Sequence, residues 1–242
     1  MNTFGPANVL SFVELVDLVG VDPEPFPQAA RDEVMERQRV NMARAEAIYC
    51  SQRRCGDALF DLTAEFVYCF GEFQRAKLLP SLKTLWERRL WSDASFGALL
   101  RTLHQAGCTT STLFDEISVD EFAELIENLP SEVIHTSSEC GRFCALTGPI
   151  TVYRGGWAAT AEGLVSRGVS WSLSKDIADG FVTHGIGLGS NQQPFLLRTT
   201  IQHGDVLALF DHEQEVVVLP NSIQGYKSIL SPKVLRLKNR NE

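Results

Sequence analysis

The sequence predicts an α+β protein, with a helical N-terminal region over residues 1–140 and a smaller β-rich region over residues 141–242. Apolar residues recur at helical spacing through most of the first region, whereas short runs with alternating apolar and polar residues dominate the second. Gly148 and Pro149 interrupt the chain where these two patterns meet. The two parts are therefore expected to fold as separate regions.

Helices are expected in the first region wherever good helix formers coincide with apolar residues at helical spacing. Three prolines between Asp22 and Pro27 mark a connector after the first helix. Asp93 is the expected N-cap of a later helix, and Ser118 with Glu121 has the spacing of a capping box. The segments are VLSFVELVDLVG, PQAARDEVMERQRVNMARAEAIY, GDALFDLTAEFVYCF, PSLKTLWERRLW, DASFGALLRTLHQAG and SVDEFAELIENL.

Strands of period two dominate the second region. Two short helices, AATAEGLVS and KDIADGFVTHG, are expected among them, which makes this region α+β. The expected strands are ITVYR, GVSWSL, PFLLRTTI, DVLALF, EVVVLP and KVLRLK.

The composition is that of an ordinary globular protein, with 44% hydrophobic and 21% charged residues. No apolar run reaches about 18 residues, which argues against a membrane span. The first twenty residues lack a basic start and carry Glu14 and Asp17 within their apolar stretch, so they do not resemble a signal peptide. These observations favour a cytoplasmic location and no membrane partner.

The cysteines show no metal-binding pattern, because none of them forms a CxxC pair. A zinc site would need tighter pairs and a second cluster, so no metal is expected. Reduced and mostly buried thiols suit a cytosolic setting better. The six residues are Cys50, Cys55, Cys69, Cys108, Cys140 and Cys144.

The net charge of −8 is unevenly distributed along the chain. Residues 1–149 hold 13 basic against 22 acidic residues, and residues 150–242 hold 9 against 8. Five basic residues cluster near the end, where they either bind a phosphate-rich ligand or form a solvated tail. They are Lys227, Lys233, Arg236, Lys238 and Arg240.

The stretch VYRGG places Arg154 at the end of an expected strand, directly before two glycines. A guanidinium offers a rigid fork of donors that suits phosphate or carboxylate groups. Gly155 and Gly156 lack a Cβ atom, so a flat ligand could lie close to their backbone. Taken alone, Arg154 also fits the ordinary alternative of a surface ion pair.

Two further pairs of polar residues lie on expected strands. Alternation places Ser170 and Ser172 on one face and Trp171 on the other, which is typical of either a polar site wall or an exposed edge. The same alternation places Glu213 and Glu215 on one face at the start of a very apolar strand. Like charges repel there, so the pair either faces a cationic intermediate or is a charged strand end.

The order aromatic-Arg-Gly, then Ser-x-Ser, then Glu-x-Glu before an apolar strand resembles the R-S-E class of mono-ADP-ribosyltransferases. Members of this class cleave NAD at the nicotinamide–ribose bond and pass ADP-ribose to a target. The resemblance covers about residues 150–240 and nothing before them. It implies that residues 141–242 form a split antiparallel β-sandwich, the ADP-ribosyltransferase catalytic domain, which consumes NAD as substrate.

The resemblance also implies a role for each matching residue. Arg154 would hold the NAD phosphates and buttress the site. The backbone of Gly155 would meet the nicotinamide carboxamide, and Ser170 would orient the catalytic glutamate. Glu215 would contact the ribose hydroxyl, and Glu213 would help to accept the proton of the target.

Ser172 and Phe181 are further expected contacts of NAD by the same resemblance. Trp171 stands where the family has threonine, but its side chain should face the core. The Gly-rich segment over residues 183–194 is not a Rossmann fingerprint, and it is either a loop that closes over nicotinamide or a plain connector.

The turn over residues 210–215 matches the place of the family's target-recognition loop, which makes Asp211, His212 and Gln214 candidate contacts of the acceptor. A Glu-x-Glu pair favours a protein arginine as acceptor by analogy, with RNA or DNA as the alternative. The leading hypothesis is an intracellular toxin or phage-encoded effector whose helical region binds a neutralising antitoxin or the target. A catalytically inactive binding module of the same fold is the competing hypothesis.

Overall fold

The computed structural model describes residues 12–19, 31–52, 59–70, 72–89, 91–105, 113–114, 116–166, 168–184 and 192–229. These residues form α-helices and antiparallel strands, so the α+β prediction is confirmed. The internal contacts divide the chain into two compact units, residues 1–117 and 118–242. Among the helices described, none is long and apolar enough to cross a membrane.

The described part of the first unit is helical, as the sequence predicts. The Trp86 and Phe96 rings stack with their centroids 4.5 Å apart, and Tyr49 stacks on Phe66 at 6.0 Å. Fully buried leucines of the fourth and fifth helices complete the apolar core of this unit. The helices are α1 (Phe12–Val19), α2 (Arg31–Gln52), α3 (Leu59–Tyr68), α4 (Glu72–Glu87) and α5 (Asp93–Gln105).

Two helix starts in this unit differ from the sequence prediction. A helix is expected to begin at Pro80, but α4 continues through it, since buried apolar residues on both sides of Pro80 hold the helix in place. Asp93 is expected to cap α5, but Ser92 Oγ accepts the Ser95 N–H at 3.1 Å instead. The Asp93 carboxylate accepts a hydrogen bond from Trp86 Nε1 at 2.7 Å, which explains why the neighbouring serine is the cap.

The described residues of the second unit form a six-stranded antiparallel sheet with the strand order β4-β5-β2-β1-β3-β6. Its sixth strand is not predicted from the sequence, whereas the expected strand over residues 233–238 lies outside the described residues. The elements are α6 (Val119–Glu127), α7 (Ser131–Ile134), α8 (Ser137–Ala145), β1 (Ile150–Ala158), α9 (Ala161–Ser166), β2 (Ser170–Ser172), α10 (Lys175–His184), β3 (Gln193–Ile201), β4 (Val206–Phe210), β5 (Glu215–Val218) and β6 (Lys227–Ser228).

The two faces of the sheet carry different layers, because side chains alternate along each strand. On one face, α10 packs through Ala178 and Val182 against Leu196 and Tyr153. The opposite face carries the larger apolar core, to which α9 contributes a leucine. That core includes Val152, Leu164, Trp171, Leu197, Leu209, Val216 and Val218.

The two glycines of β1 are explained by close packing of helices against the strand. A Cβ built on Gly155 would lie 1.7 Å from the Ala178 carbonyl oxygen in α10. A Cβ on Gly156 would lie 2.9 Å from Leu164 Cδ1 in α9. The expectation that these missing side chains leave room for a flat ligand is therefore corrected, because the protein's own helices fill the space.

The packing boundary at 117/118 lies before the boundary predicted at 140/141. Residues 118–140 form helices in the sequence pattern and in the structure, but they pack against the sheet. Ser118 Oγ caps α6 by accepting the Glu121 N–H at 3.0 Å, as predicted. The buried His135 Nε2 accepts the Leu209 N–H of edge strand β4 at 3.0 Å, so its ring is neutral. Helical periodicity reports the type of an element and not the unit to which it belongs.

Gly155→Ala is expected to destabilise the protein, because the new Cβ would collide with the backbone of Ala178. Overpacking commonly costs about 1–3 kcal/mol, and a backbone atom yields less readily than a side chain, so the upper end is expected. Urea unfolding measures this loss. Gly180→Ala in α10 is the matched control, since nothing lies within 4 Å of its Cβ position. Equal unfolding midpoints for the two variants would contradict the close approach.

Candidate functional site

The two serines of β2 share one face of the sheet, and Trp171 lies on the other face. Trp171 is only 2% exposed and belongs to the apolar core, as the alternation predicts. Ser170 is part-buried and Ser172 is buried. β2 pairs along its whole length with β5, through the Cα partners Ser170 with Val217, Trp171 with Val216 and Ser172 with Glu215.

Glu215 is a buried carboxylate at the first position of β5. Its Oε1 accepts a hydrogen bond from Ser170 Oγ across the β2–β5 ladder. A buried carboxylate is unfavourable unless hydrogen bonds satisfy it, so the Ser170 hydroxyl both stabilises and orients this group. The structure thus brings together two predicted site residues that are 45 positions apart.

Arg154 lies close to these residues but is engaged with the backbone. Its NH1 donates to the Gly168 carbonyl oxygen at 2.6 Å, and its Cζ lies 6.0 Å from the centre of the Trp171 ring. Burial lowers the pKa of Arg154 to about 10, and the negative charge of Glu215 opposes this shift. The guanidinium therefore keeps its charge at neutral pH and provides a cation near the buried carboxylate.

The direction of Arg154 differs from that of the serine and glutamate side chains. Alternation along β1 places Arg154 with Val152 on the face of the apolar core, whereas Tyr153 pairs with Ser172 on the other face. The contact of Arg154 with the phosphates of NAD remains a prediction. The contact that the structure shows is a buttress, which holds the segment before β2 through the Gly168 carbonyl.

Gly155 and Phe181 are both connected with α10, although they differ in exposure. Gly155 follows Arg154 in β1 and faces the α10 backbone. Phe181 is 43% exposed, while its helix neighbours Ala178 and Val182 are buried against the sheet. An exposed aromatic ring offers an apolar surface for a ligand, so the predicted NAD contact of Phe181 stays consistent with its position.

Glu213 does not lie on a strand, so the expectation that it shares a strand face with Glu215 is wrong. Residues His212–Gln214 form a 3₁₀ turn, and β5 begins only at Glu215. Glu213 and Gln214 have positive φ angles of 60° and 46°. The turn predicted over residues 210–215 agrees with the structure. The negatively charged pair is thus divided between a turn and a strand.

The three candidate target contacts fall into two groups. Asp211 is held by α8: its carboxylate accepts hydrogen bonds from Arg142 NH1 and, at 3.1 Å, from Ser138 Oγ. We therefore assign Asp211 to anchoring the turn. His212 and Gln214 are exposed, and His212 Nε2 lies 3.6 Å from Glu213 Oε1. These exposed residues remain predicted acceptor contacts.

The remaining expectations concern metals, thiols and two further segments of the chain. No group of three or more metal-ligating side chains is found among the described residues. Cys69 is a buried free thiol, and burial raises its pKa, whereas Cys144 is exposed, so the thiols are not uniformly buried. Most of the Gly-rich segment over residues 183–194 lies outside the described residues, as does the basic cluster beyond Lys227.

The residues of α8 that hold the turn are not among the predicted site residues. Thr136 and Glu139 have the S/T-x-x-E spacing of a capping box, which is visible in the sequence and present in the structure. The second oxygen of the Glu139 carboxylate accepts the Asp211 N–H at 2.8 Å. No local pattern indicates this contact, because the two residues are 72 positions apart.

The fold and the site define a unit of helices and antiparallel strands that carries a serine-held, buried glutamate near a strand-borne arginine. No protein-family model, curated protein or solved structure matches this chain significantly. The interpretation of the site therefore rests on its own residues and their geometry.

Ser172→Ala is expected to loosen the turn before Glu215. The Ser172 hydroxyl donates to the Glu213 carbonyl at 2.9 Å and accepts the Ser174 N–H at 3.0 Å. Loss of both bonds should lower the free energy of unfolding by about 1–3 kcal/mol, as measured by urea unfolding. Ser228→Ala on the exposed strand β6 is the matched control. A stability equal to that of this control would show that the hydroxyl does not hold the turn.

Proposed function

We propose that the second unit is an NAD-dependent mono-ADP-ribosyltransferase. The observation that carries this proposal is the hydrogen bond from Ser170 to the buried carboxylate of Glu215, with the cation of Arg154 close by. These are the three residues on which the resemblance to the R-S-E class depends. An oriented carboxylate and a charged guanidinium support NAD as the substrate, and Phe181 of α10 offers an exposed aromatic ring in the same unit.

The chemistry of the proposed reaction needs a carboxylate at this place. Breaking the bond between ribose C1′ and the nicotinamide nitrogen builds positive charge on the ribose, as in other glycosyl transfers. The Glu215 carboxylate would stabilise this charge more in the transition state than in the ground state. Nicotinamide departs with the bonding electron pair, and the acceptor bonds to C1′ and loses a proton. Glu213 is the proposed acceptor of that proton.

The split β-sandwich is part of the same proposal. β1 and β2 share a single Cα pair, Tyr153 with Ser172, whereas β1 and β3 are paired along all nine residues of β1. This narrow junction supports a sheet that splits between β1 and β2 into the halves β4-β5-β2 and β1-β3-β6. Arg154 follows Tyr153 at the junction, and Glu215 lies opposite Ser172, so both site residues lie next to the split between the two halves.

The acceptor is proposed to be a protein arginine, because a second glutamate lies two residues before Glu215. RNA or DNA is the alternative, favoured by the late basic cluster and opposed by the net charge of −8. In this proposal the protein is an intracellular toxin or phage-encoded effector. Its helical region would bind the target or a neutralising antitoxin.

Glu215→Gln is expected to remove almost all release of nicotinamide from NAD. Loss of one preorganised electrostatic partner commonly costs about 10²–10³ in rate, and the neutral amide leaves the fold intact. Nicotinamide release is measured on the purified protein by chromatography, with circular dichroism as the check on folding. Near-normal release by this variant would overturn the proposed function. If the protein is a catalytically inactive binding module, the wild-type protein will also release no nicotinamide.

Glu213→Gln provides the matched comparison, since it is the same substitution two positions upstream. We expect this variant to retain hydrolysis of NAD but to transfer ADP-ribose less well to a guanidinium acceptor, because only transfer to the acceptor uses its carboxylate as a base. The two activities are measured as nicotinamide release and as transfer of labelled ADP-ribose to agmatine. A loss of hydrolysis equal to that of Glu215→Gln would contradict the separate roles of the two residues.

The class of acceptor is tested with labelled NAD and a whole-cell lysate. The labelled product is treated with protease, RNase or DNase in parallel samples. Loss of the macromolecular label with protease alone supports the protein acceptor. Loss with RNase or DNase would replace it with the nucleic-acid alternative.

A further inference from the structure

We propose that helix α8 is a positioning element for the turn over residues 211–214, and that its hold on Asp211 favours transfer of ADP-ribose to the acceptor over hydrolysis. Arg142 is the central positioning residue of this element. The inference rests on the proposed function. Four features of the second unit carry it: a strained turn, one set of tethers on Asp211, another set on Glu213 and Gln214, and a separate support for Glu215.

The turn has a backbone conformation that L-residues adopt reluctantly. Glu213 and Gln214 are consecutive non-glycine residues with φ angles of 60° and 46°. Such residues cost on the order of 1–3 kcal/mol each and persist only where the surroundings hold them. Neither position is a glycine, which would have removed this strain. These positions therefore combine polar side chains with an unfavourable backbone.

One set of tethers comes from β2 and the residue that follows it. Ser172 Oγ donates to the Glu213 carbonyl oxygen at 2.9 Å. The Leu173 N–H donates to the Gln214 carbonyl oxygen at 2.9 Å. These bonds attach the strained residues to the strand that also carries Ser170.

The other set of tethers comes from α8 and acts on Asp211. Arg142 NH1 and Ser138 Oγ donate to its two carboxylate oxygens, and the Asp211 N–H donates to Glu139 Oε1 at 2.8 Å. Glu139 is itself 1% exposed, and its Oε2 accepts the Thr136 N–H at 2.8 Å. Glu139 therefore ties the anchor to the interior, whereas Ser138, Arg142 and Asp211 lie at the surface.

Glu215 is supported separately from this anchor. Ser170 holds its carboxylate, and the β2–β5 ladder holds its backbone opposite Ser172. Loosening the hold on Asp211 should thus displace the residues of the turn while the catalytic carboxylate stays in place. Hydrolysis uses water, which needs little guidance, whereas a macromolecular acceptor must be aligned with C1′. Both reactions break the same C1′–nicotinamide bond, and they differ only in the nucleophile that loses a proton.

Arg142→Ala is the test, because its side chain is 46% exposed and its loss does not open the core. The full-length protein is incubated with NAD labelled in its adenine half. Nicotinamide released without lysate measures hydrolysis, and acid-insoluble label formed with whole-cell lysate measures transfer. Misplacement by about 1 Å commonly costs about 10²-fold, so transfer should fall by about 10- to 100-fold and hydrolysis by much less. Arg142→Lys keeps the charge and should restore most of the transfer.

Arg39→Ala is the control, since it removes another exposed arginine that is paired with a glutamate, in α2 of the first unit. It should leave the ratio of transfer to hydrolysis unchanged. In Arg142→Ala, the rate of amide hydrogen exchange should increase over residues 209–216. The rate over residues 169–174 should stay as in the wild type. The inference would be overturned if Arg142→Ala left either the exchange rate in the turn or the ratio of transfer to hydrolysis unaltered. It would also be overturned if the wild type released nicotinamide without labelling the lysate. None of these outcomes would affect the proposed function. A wild type that releases no nicotinamide would overturn the proposed function as well.

Discussion

The pairing of β2 with β5 is the interaction on which the candidate site depends. It places Ser172 opposite Glu215 and lets the Ser170 hydroxyl reach the Glu215 carboxylate. The same short ladder buries Trp171 in the apolar core, so a shift by one residue would exchange the polar and apolar faces. Burial of the tryptophan therefore fixes the register that orients the glutamate. The stability of the core and the geometry of the candidate site have the same physical origin here.

In the turn before Glu215, in contrast, the geometry of the site costs stability. Its two residues of positive φ are unfavourable by themselves, and hydrogen bonds from β2 and α8 compensate for them. A glycine-rich turn would have been less strained but also less well defined. The strained residues 213 and 214 directly precede the buried carboxylate of Glu215, in a turn that α8 holds through Asp211.

Arg154 and its glycines illustrate how a sequence motif can have more than one physical reason. Arg154 carries its charge near Glu215, yet its visible contact is the Gly168 carbonyl, which makes it a structural residue as well as a candidate ligand contact. Gly155 lacks a side chain because α10 crosses the strand there, with Ala178 in the way. Sequence motifs of this kind record packing and chemistry together, and only coordinates separate the two.

By itself, the sequence determined the α+β class, five of the six strands that the structure describes and the faces of β2, because these follow from periodicity along a single element. It also pointed to Ser170, Glu215 and Arg154 as neighbours, through the order of three motifs. The tertiary structure decided what depends on contacts between distant elements: the packing boundary at 117/118, the place of Glu213 in a turn, and the hold of Glu139 and Arg142 on Asp211. Local spacing contains no information about a hydrogen bond between residues 139 and 211, since that bond exists only after the sheet and α8 have packed together.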